Sequence, residues 1–388
     1  MKTGLLERFD PPPDEWDTNP WPFVAANTAE WYEGPLGILF VSSSRRWEEF
    51  RALKYLRAAA IEETSLGAIT SGPAWEWSQQ VTSWSDGPRH AELRGLFAPA
   101  FSASAVSRLR PRLVDICVEA IERLPSGPVD LVELANDIAY RAFGVVAGIT
   151  DSAHVDMSVI GTATELANLW GWHSGRMVDV INRAAVDLRA VVDLLLREQE
   201  GLDTLYGRIA AADAEWDVRV AAGMQALVAG WETTVASILG ICHTLLDDPS
   251  RLRGVVEAAW SPAAVVEECL RWKPPAAAMM RIASESFQWD ELSIEAGHML
   301  VAYTFFIARD CDAYDDPWVF NPARRQIDLP VWGFGAHRCM GVALATAELE
   351  SLVEAIRVTD PVWALVEKPR WTDPKRAYRP IELIVENG

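Results

Sequence analysis

The sequence predicts a mainly α-helical protein with a small β region, and three observations predict it. Residues 221–246 form an apolar run far longer than a strand needs. Four further stretches, at about 112–124, 131–147, 152–170 and 176–199, carry apolar residues at helical spacing. Strand-like patterns gather near the ends. One is Gly37-Ile38-Leu39-Phe40-Val41, and the other is the alternation of Tyr378, Ile381, Leu383 and Val385 within 376–386, expected to close the small sheet. No linker, repeat or low-complexity tract divides the 388 residues, so one domain over 1–388 is expected. Residues 1–20, rich in Pro and Asp, are expected to form a loose arm.

Charge and cysteine usage exclude several classes. A formal charge of −20 argues against nucleic acid, which needs a basic footprint, and against anionic membrane surfaces. The run 221–246 is interrupted by Gln225, Glu232 and His243, which reads as a buried helix and not a membrane anchor. The N-terminus has no apolar run of signal-peptide length. Five scattered cysteines form no paired framework, and a reducing cytoplasm is the expected location.

Taken in order, 45–60 has helical spacing with Trp47, Phe50, Leu53 and Leu56 on one face, and 65–85 reads as a loop holding Trp75, Trp77 and Trp84. Asp86-Gly87-Pro88 reads as a cap and turn opening a helix that sets His90 and Arg94 on one face. The long helix carries Ala229-Gly230-Trp231-Glu232-Thr233-Thr234, and a glycine and an acid are locally unfavourable in a buried helix. Two readings stand there: Glu232 and Thr233 as a carboxylate and hydroxyl that relay protons, or a kink with a threonine bonded back to a carbonyl. Ser261-Pro262 is a helix start, as cap and first-turn proline, and leads to Glu268-x-x-Arg271. An extended run, Pro275 onward, carries Ala278, Met279, Met280 and Arg281, and Phe320-Asn321-Pro322-Ala323-Arg324 follows it.

The most informative stretch is Trp332-Gly333-Phe334-Gly335-Ala336-His337-Arg338-Cys339-Met340-Gly341. Its glycines free the backbone for a tight turn, and Cys339 stands at the exit, before an apolar helical run that includes Glu348. A thiol at a helix N-terminus meets unpaired N–H groups that favour the thiolate, a potential iron ligand. The plain alternative is a turn with a buried cysteine.

In this order the motifs resemble the cytochrome P450 family of haem-thiolate monooxygenases, from about residue 20 to the end. The resemblance implies a P450-like fold with haem b (iron protoporphyrin IX) between the long central helix and the cysteine loop. It implies Cys339 as the iron ligand, in a loop shaped by Gly333, Phe334, His337 and Gly341. His90, Arg94 and Arg281 would meet the propionates, Ala229 and Gly230 would form the groove, and Glu232 with Thr233 would be the acid–alcohol pair. Glu268, Arg271 and Arg324 would form a buried structural network. Two positions depart from the family pattern: Trp332 stands where Phe is usual, and Trp231 where His is common.

The activity implied is oxidation of a hydrophobic small molecule by dioxygen, by hydroxylation or epoxidation. Electrons would come from a ferredoxin or flavodoxin-type donor with its reductase, landing on Arg108, Arg110, Arg112, Arg324, Arg325 and Arg338. Oxidative ring closure without oxygen insertion and a non-catalytic haem protein stay open as alternatives. With 18 tryptophans in the chain, an aromatic natural-product substrate is expected, contacted by Trp75, Trp77, Trp84, Trp170, Trp172, Ala278 and Met279.

Overall fold

A computed structural model describes residues 7–8, 19–26, 29–34, 37–65, 67–97, 100–149, 157–167, 175–325, 328–372 and 377–388; Trp170 and Trp172 lie outside the described residues. Helices dominate. The central one, Trp216–Leu246, is buried along most of its length, which explains a run of apolar residues with no polar face. It passes the length and hydropathy test for a membrane span, yet 78% of that window is buried inside the fold. The helices Leu131–Ala147, Met157–Ala167 and Gly175–Glu198 pack against it.

Caps fix the ends that the sequence pattern indicated. Asp130 Oδ1 accepts the Val132 N–H at 3.0 Å, and Leu131–Ala147 then stops at Gly148, whose φ of 81° is left-handed. Ser261 Oγ accepts the Ala264 N–H at 3.2 Å and opens Pro262–Trp272. The helix after the cysteine, Val342–Thr359, lies between Arg110–Glu122 and Pro262–Trp272.

The larger sheet has six strands in the order Glu7–Arg8, Trp31–Glu33, Leu39–Val41, Met299–Tyr303, Ala278–Ala283, Leu56–Arg57. Three expectations are corrected here. Glu7–Arg8 pairs in parallel with Tyr32 and Glu33, so part of the N-terminal arm is tied to a sheet edge. The helix expected over 45–60 ends at Ala52, because Leu53 is extended (ψ 131°) and Leu56–Arg57 pairs with Ile282 and Ala283. The C-terminal strand is only Ile384–Asn387, and it joins Gly127–Asp130 and Trp363–Leu365 in a separate three-stranded sheet. Backbone pairing with distant strands decided each case, and local spacing carries no trace of it.

Candidate active site

The central helix and the cysteine loop face one another across a cavity of about 820 Å³. Cys339, His337 and Gly341 line one wall, Ala229, Gly230, Glu232 and Thr233 another, and Ala278, Met279 and Arg281 a third. In a helix otherwise buried at its middle, Ala229 and Thr233 are exposed, one turn apart, and both open onto this cavity. The polar residues that looked misplaced in a buried helix therefore face a chamber.

The cysteine loop holds its shape through two left-handed glycines, Gly333 at φ 65° and Gly335 at φ 58°. A Cβ on Gly333 would lie 2.9 Å from the His337 carbonyl oxygen. Gly341 differs from the turn role expected of it: its φ of −78° is open to any residue. What it supplies is space, since a Cβ there would lie 3.8 Å from Cys339 Sγ. The Cys339 N–H donates to the Trp332 carbonyl at 2.7 Å, closing the loop. Trp332 also lines the cavity, while Gly333 and Phe334 sit behind the wall, Phe334 packed edge-on against Trp47 and Phe50 at 5.3 and 5.5 Å. Burial pushes the Cys339 thiol up, more than the N–H groups of Gly341 and Val342 and the charges of Arg94 and Arg338 pull it down. The helix end alone therefore does not outweigh burial at this thiol.

Beside the loop stands a concentration of cationic groups. Arg94 donates from Nη2 to the Arg338 carbonyl at 2.9 Å, and Arg281 from Nη1 to the Met280 carbonyl at 2.7 Å. The His90 and His337 rings lie 4.3 Å apart. Burial lowers the pKa of both histidines and of Arg281. Asp86 is the acid that meets them, 2.8 Å from His337 Nε2. Its other oxygen accepts the Ala58 N–H at 2.7 Å, and it makes no side-chain cap, contrary to the capping role read from its position. His90 Nε2 is buried without a hydrogen-bond partner among the described residues.

A haem fits these donors. The cavity offers a thiol on its wall, a flat approach past Gly341 and Gly230, and an excess of cations beside an orphaned histidine nitrogen, as a dianionic macrocycle requires. Against Gly230 itself, however, a Cβ would meet the Phe143 ring at 3.0 Å, so that glycine also admits a neighbouring side chain.

The back-bonded reading of the central motif is present in the structure. Thr233 Oγ1 donates to the Ala229 carbonyl at 3.0 Å and Thr234 Oγ1 to that of Gly230 at 2.9 Å, the back-bonded arrangement. Thr233 nonetheless lines the cavity, and its oxygen can still accept a hydrogen bond. Glu232 is not an isolated acid: its Oε1 accepts from Arg379 Nε at 2.8 Å. Trp231 is buried at 2% exposure against Tyr140, a core residue and not a pocket wall.

Glu268, Arg271 and Arg324 meet as expected. Arg271 donates Nε and Nη2 to the two Glu268 oxygens at 2.8 and 2.7 Å, and Arg324 Nε adds a bond at 3.2 Å. The side chains of Glu268 and Arg271 are fully buried and Arg324 is 7% exposed, so Arg324 belongs to this network and not to a surface patch. Its partners in the expected landing patch are also less free than their number suggests, with Arg110 paired to Glu350, Arg112 to Glu119 and Arg338 to Asp328.

Of the described tryptophans expected at the substrate, Trp84 alone lines the cavity. Trp75 and Trp77 sit on a short helix, Pro73–Ser78, where a loop was expected. Trp75 Nε1 bonds Glu62, and Trp77 is buried, donating to the Ala221 carbonyl at 3.1 Å. Trp77 touches Trp84 edge-on at 6.0 Å and thus backs the wall. Much of the tryptophan load serves another purpose: Trp21, Trp272 and Trp318 surround the buried Arg309 guanidinium at 4.7–5.2 Å. The sequence reading missed Arg379, Asp86 as a partner of His337, and the phenylalanines Phe97, Phe101 and Phe143 on the cavity wall. None of them sits at a spacing that marks it.

Comparison with known proteins agrees with this geometry. The family model described as Cytochrome P450 matches residues 263–356, which span the Glu268 network and the cysteine loop. The chain is 30% identical over 279 residues to cytochrome P450-SOY of Streptomyces griseus, covering 68% of this chain and 65% of that one. It is 29% identical over 346 residues to nocardicin C N-oxygenase of Nocardia uniformis subsp. tsuyamanensis, covering 85% and 83%. Among solved structures it is similar to CalO2, with TM-score 0.87, 21% identity and 99% of each chain covered. It is equally similar to P450BioI in complex with an acyl carrier protein ligated to hexadec-9Z-enoic acid, at TM-score 0.87, 20% identity and 96% and 100% coverage. The chain belongs to the cytochrome P450 family and is an oxidoreductase of the monooxygenase type, with the haem cofactor the family implies.

Proposed function

We propose that the chain binds haem b through Cys339 and uses dioxygen to oxidise a hydrophobic, aromatic natural-product-type small molecule. The observation that carries this is the juxtaposition across one cavity of a cysteine loop with two left-handed glycines and a helix wall bearing Glu232 and Thr233. When bound, haem supplies the dioxygen activation and C–H oxidation that no side chain can perform.

The chain's own residues do the rest. Cys339 would hold the iron, and Arg94, Arg281, His337 and His90 would receive the propionates, since charge-assisted bonds to carboxylates are the strongest use of such donors. Thr233 holds a proton-carrying hydroxyl at the cavity face, and Glu232 exchanges protons with it from the adjacent position. Phe97, Phe101, Phe143 and Trp84 exclude water and offer aromatic surface to the substrate, with Ala278 and Met279 beside them. Electrons come from a ferredoxin or flavodoxin-type donor with its reductase, and the protein works in the cytoplasm. The domain is one unit over 1–388.

The test is the absorption spectrum of the reduced, carbon-monoxide-bound protein. A thiolate-ligated band, lost in Cys339→Ala, is expected. Colourless protein made with haem in excess, or a thiolate band surviving that change, would overturn the assignment. Product mass then separates oxygen insertion from ring closure, as a gain of one oxygen or a loss of two hydrogens.

A further inference from the structure

Arg379 lies on the cavity wall in a segment that the sequence motifs did not mark. Two bonds tie its backbone to Thr372: the Thr372 N–H donates to the Arg379 carbonyl at 2.8 Å and the Arg379 N–H donates to the Thr372 side-chain Oγ1 at 3.0 Å. One antiparallel bridge pairs Trp371 with Pro380, and a second, between Ala276 and Ala377, ties this segment to the run that carries Ala278 and Met279. The backbone thus fixes where the guanidinium starts.

The guanidinium is only partly used. Nε donates to Glu232 Oε1 at 2.8 Å and Nη1 to the Pro380 carbonyl at 3.1 Å. Nη2 donates to no partner among the described residues, although the side chain is only 19% exposed. Contact with Glu232 is through one nitrogen and one oxygen, whereas the planar fork of arginine matches a carboxylate best through two. Beside it the cavity is lined by the small or apolar Pro275, Ala276, Ala277 and Ala377 and by Thr372, and among the described residues Glu232 is the acid paired with it. That edge is not among the fully buried unpaired polar atoms, so it stays open to the cavity, and the small neighbours leave room for an acceptor.

We propose that Arg379 is a specificity residue that anchors a carboxylate of the substrate through its unused edge, so that the natural substrate is an aromatic acid and not a neutral polycycle. The proposal rests on the reading of this cavity as a substrate chamber and deepens it. Glu232 then becomes a competitor for the same cation: a substrate carboxylate that draws Arg379 away frees the Glu232 oxygen that now accepts from Nε. Binding of the correct substrate and release of the acid beside Thr233 are one event. A neutral substrate leaves the pair closed.

The test is equilibrium binding to the haem-loaded protein by calorimetry, with 3-phenylpropionic acid, its methyl ester and 3-phenylpropylamine as probes. In the wild type the acid binds about tenfold tighter than the ester, the scale of one charge-assisted hydrogen bond. Arg379→Gln erases that preference, Arg379→Lys retains part of it, and Glu232→Gln enlarges it because the competing acid is gone. The last outcome is one that a merely structural arginine would not produce. Equal binding of acid and ester, tighter binding of the amine, or an acid preference that survives Arg379→Gln overturns the proposal. Each variant is checked for its reduced carbon-monoxide spectrum, so that failure of the haem-thiolate reading is seen separately from failure of the anchor.

Discussion

Two glutamate–arginine pairs in this molecule are built in opposite ways. Glu268 and Arg271 sit three residues apart on one helix, engage through two parallel bonds at 2.7 and 2.8 Å, and are fully buried. Every remaining part of the pair is occupied: Arg271 Nη1 donates to the carbonyls of Ala308 and Pro317, and Glu268 accepts the Asn321 N–H at 2.8 Å as well as Arg324. Glu232 and Arg379 are 147 residues apart, touch at one point, and are 17% and 19% exposed on a cavity wall. A saturated pair has no capacity for a ligand and serves the fold, whereas a half-used pair is open to exchange.

The largest expected effect follows from breaking the saturated pair. Arg271→Met leaves Glu268 buried without its two-bond partner, and removing one member of a buried pair costs about 3–5 kcal/mol. Chemical denaturation should register that loss together with poor haem retention, because Arg324, which holds the Asp315, Asp316 and Val319 carbonyls, shortly precedes the cysteine loop in sequence. Arg379→Gln should change stability by no more than about 1 kcal/mol, as expected for a partly exposed pair. Comparable losses in the two variants would erase the distinction drawn here.

Next in size is the loop that the saturated network supports. Gly333→Ala forces a left-handed φ of 65° on a residue with a Cβ and sets that atom 2.9 Å from the His337 carbonyl oxygen. A cost of about 1–3 kcal/mol is expected, with weakened haem binding measured by competition with apomyoglobin. Gly341→Ala should cost less in stability, since its φ is ordinary, and should act chiefly on the absorption band by crowding the sulfur.

How far the sequence reveals these features depends on whether they are local. Glu268 and Arg271 are neighbours on one helical face, and the cysteine loop is a contiguous string, so both are legible from spacing. The long helix is legible for the same reason, including its anomaly, because Gly230 and Glu232 break an otherwise apolar run. Arg379 is invisible by that route, since its partner is 147 residues away and only the fold brings them together. The tryptophans mislead for a related reason. Trp75 and Trp77 lie close in sequence to a cavity residue, Trp84, but the helix Pro73–Ser78 turns them away, one toward Glu62 and the other into the core.

A third glutamate sharpens the contrast by having no counter-ion among the described residues. Glu348, nine residues after Cys339, is buried at 3% exposure beside the cavity, and burial pushes its pKa from 4.5 up to about 8. Because the folded value lies above the unfolded one, its stabilising contribution is fully present below pH 4.5 and is lost as pH rises through 8. Wild-type protein should therefore lose stability relative to Glu348→Gln across that window, by up to about 1.4 kcal/mol per pH unit. Denaturation midpoints of the two proteins at several pH values measure it. A constant difference would mean that Glu348 stays ionised across that window.

The smallest effect belongs to the surface pairs, where neither saturation nor exchange applies. Arg112 is 50% exposed and lies 3.1 Å from Glu119, which Arg141 also engages. Arg112→Glu should shift stability by less than about 1 kcal/mol, since an exposed pair gains little over solvent. Its consequence, if the electron donor lands nearby, is kinetic: reduction by an acidic donor protein should slow more at low salt than at high salt, because screening beyond about 10 Å at 0.1 M removes the long-range attraction. Glu119 and Glu350 already neutralise Arg112 and Arg110, so the slowing should be modest, and Glu350→Gln should speed reduction by unmasking Arg110. Salt-independent rates in both variants would place the donor elsewhere on the molecule.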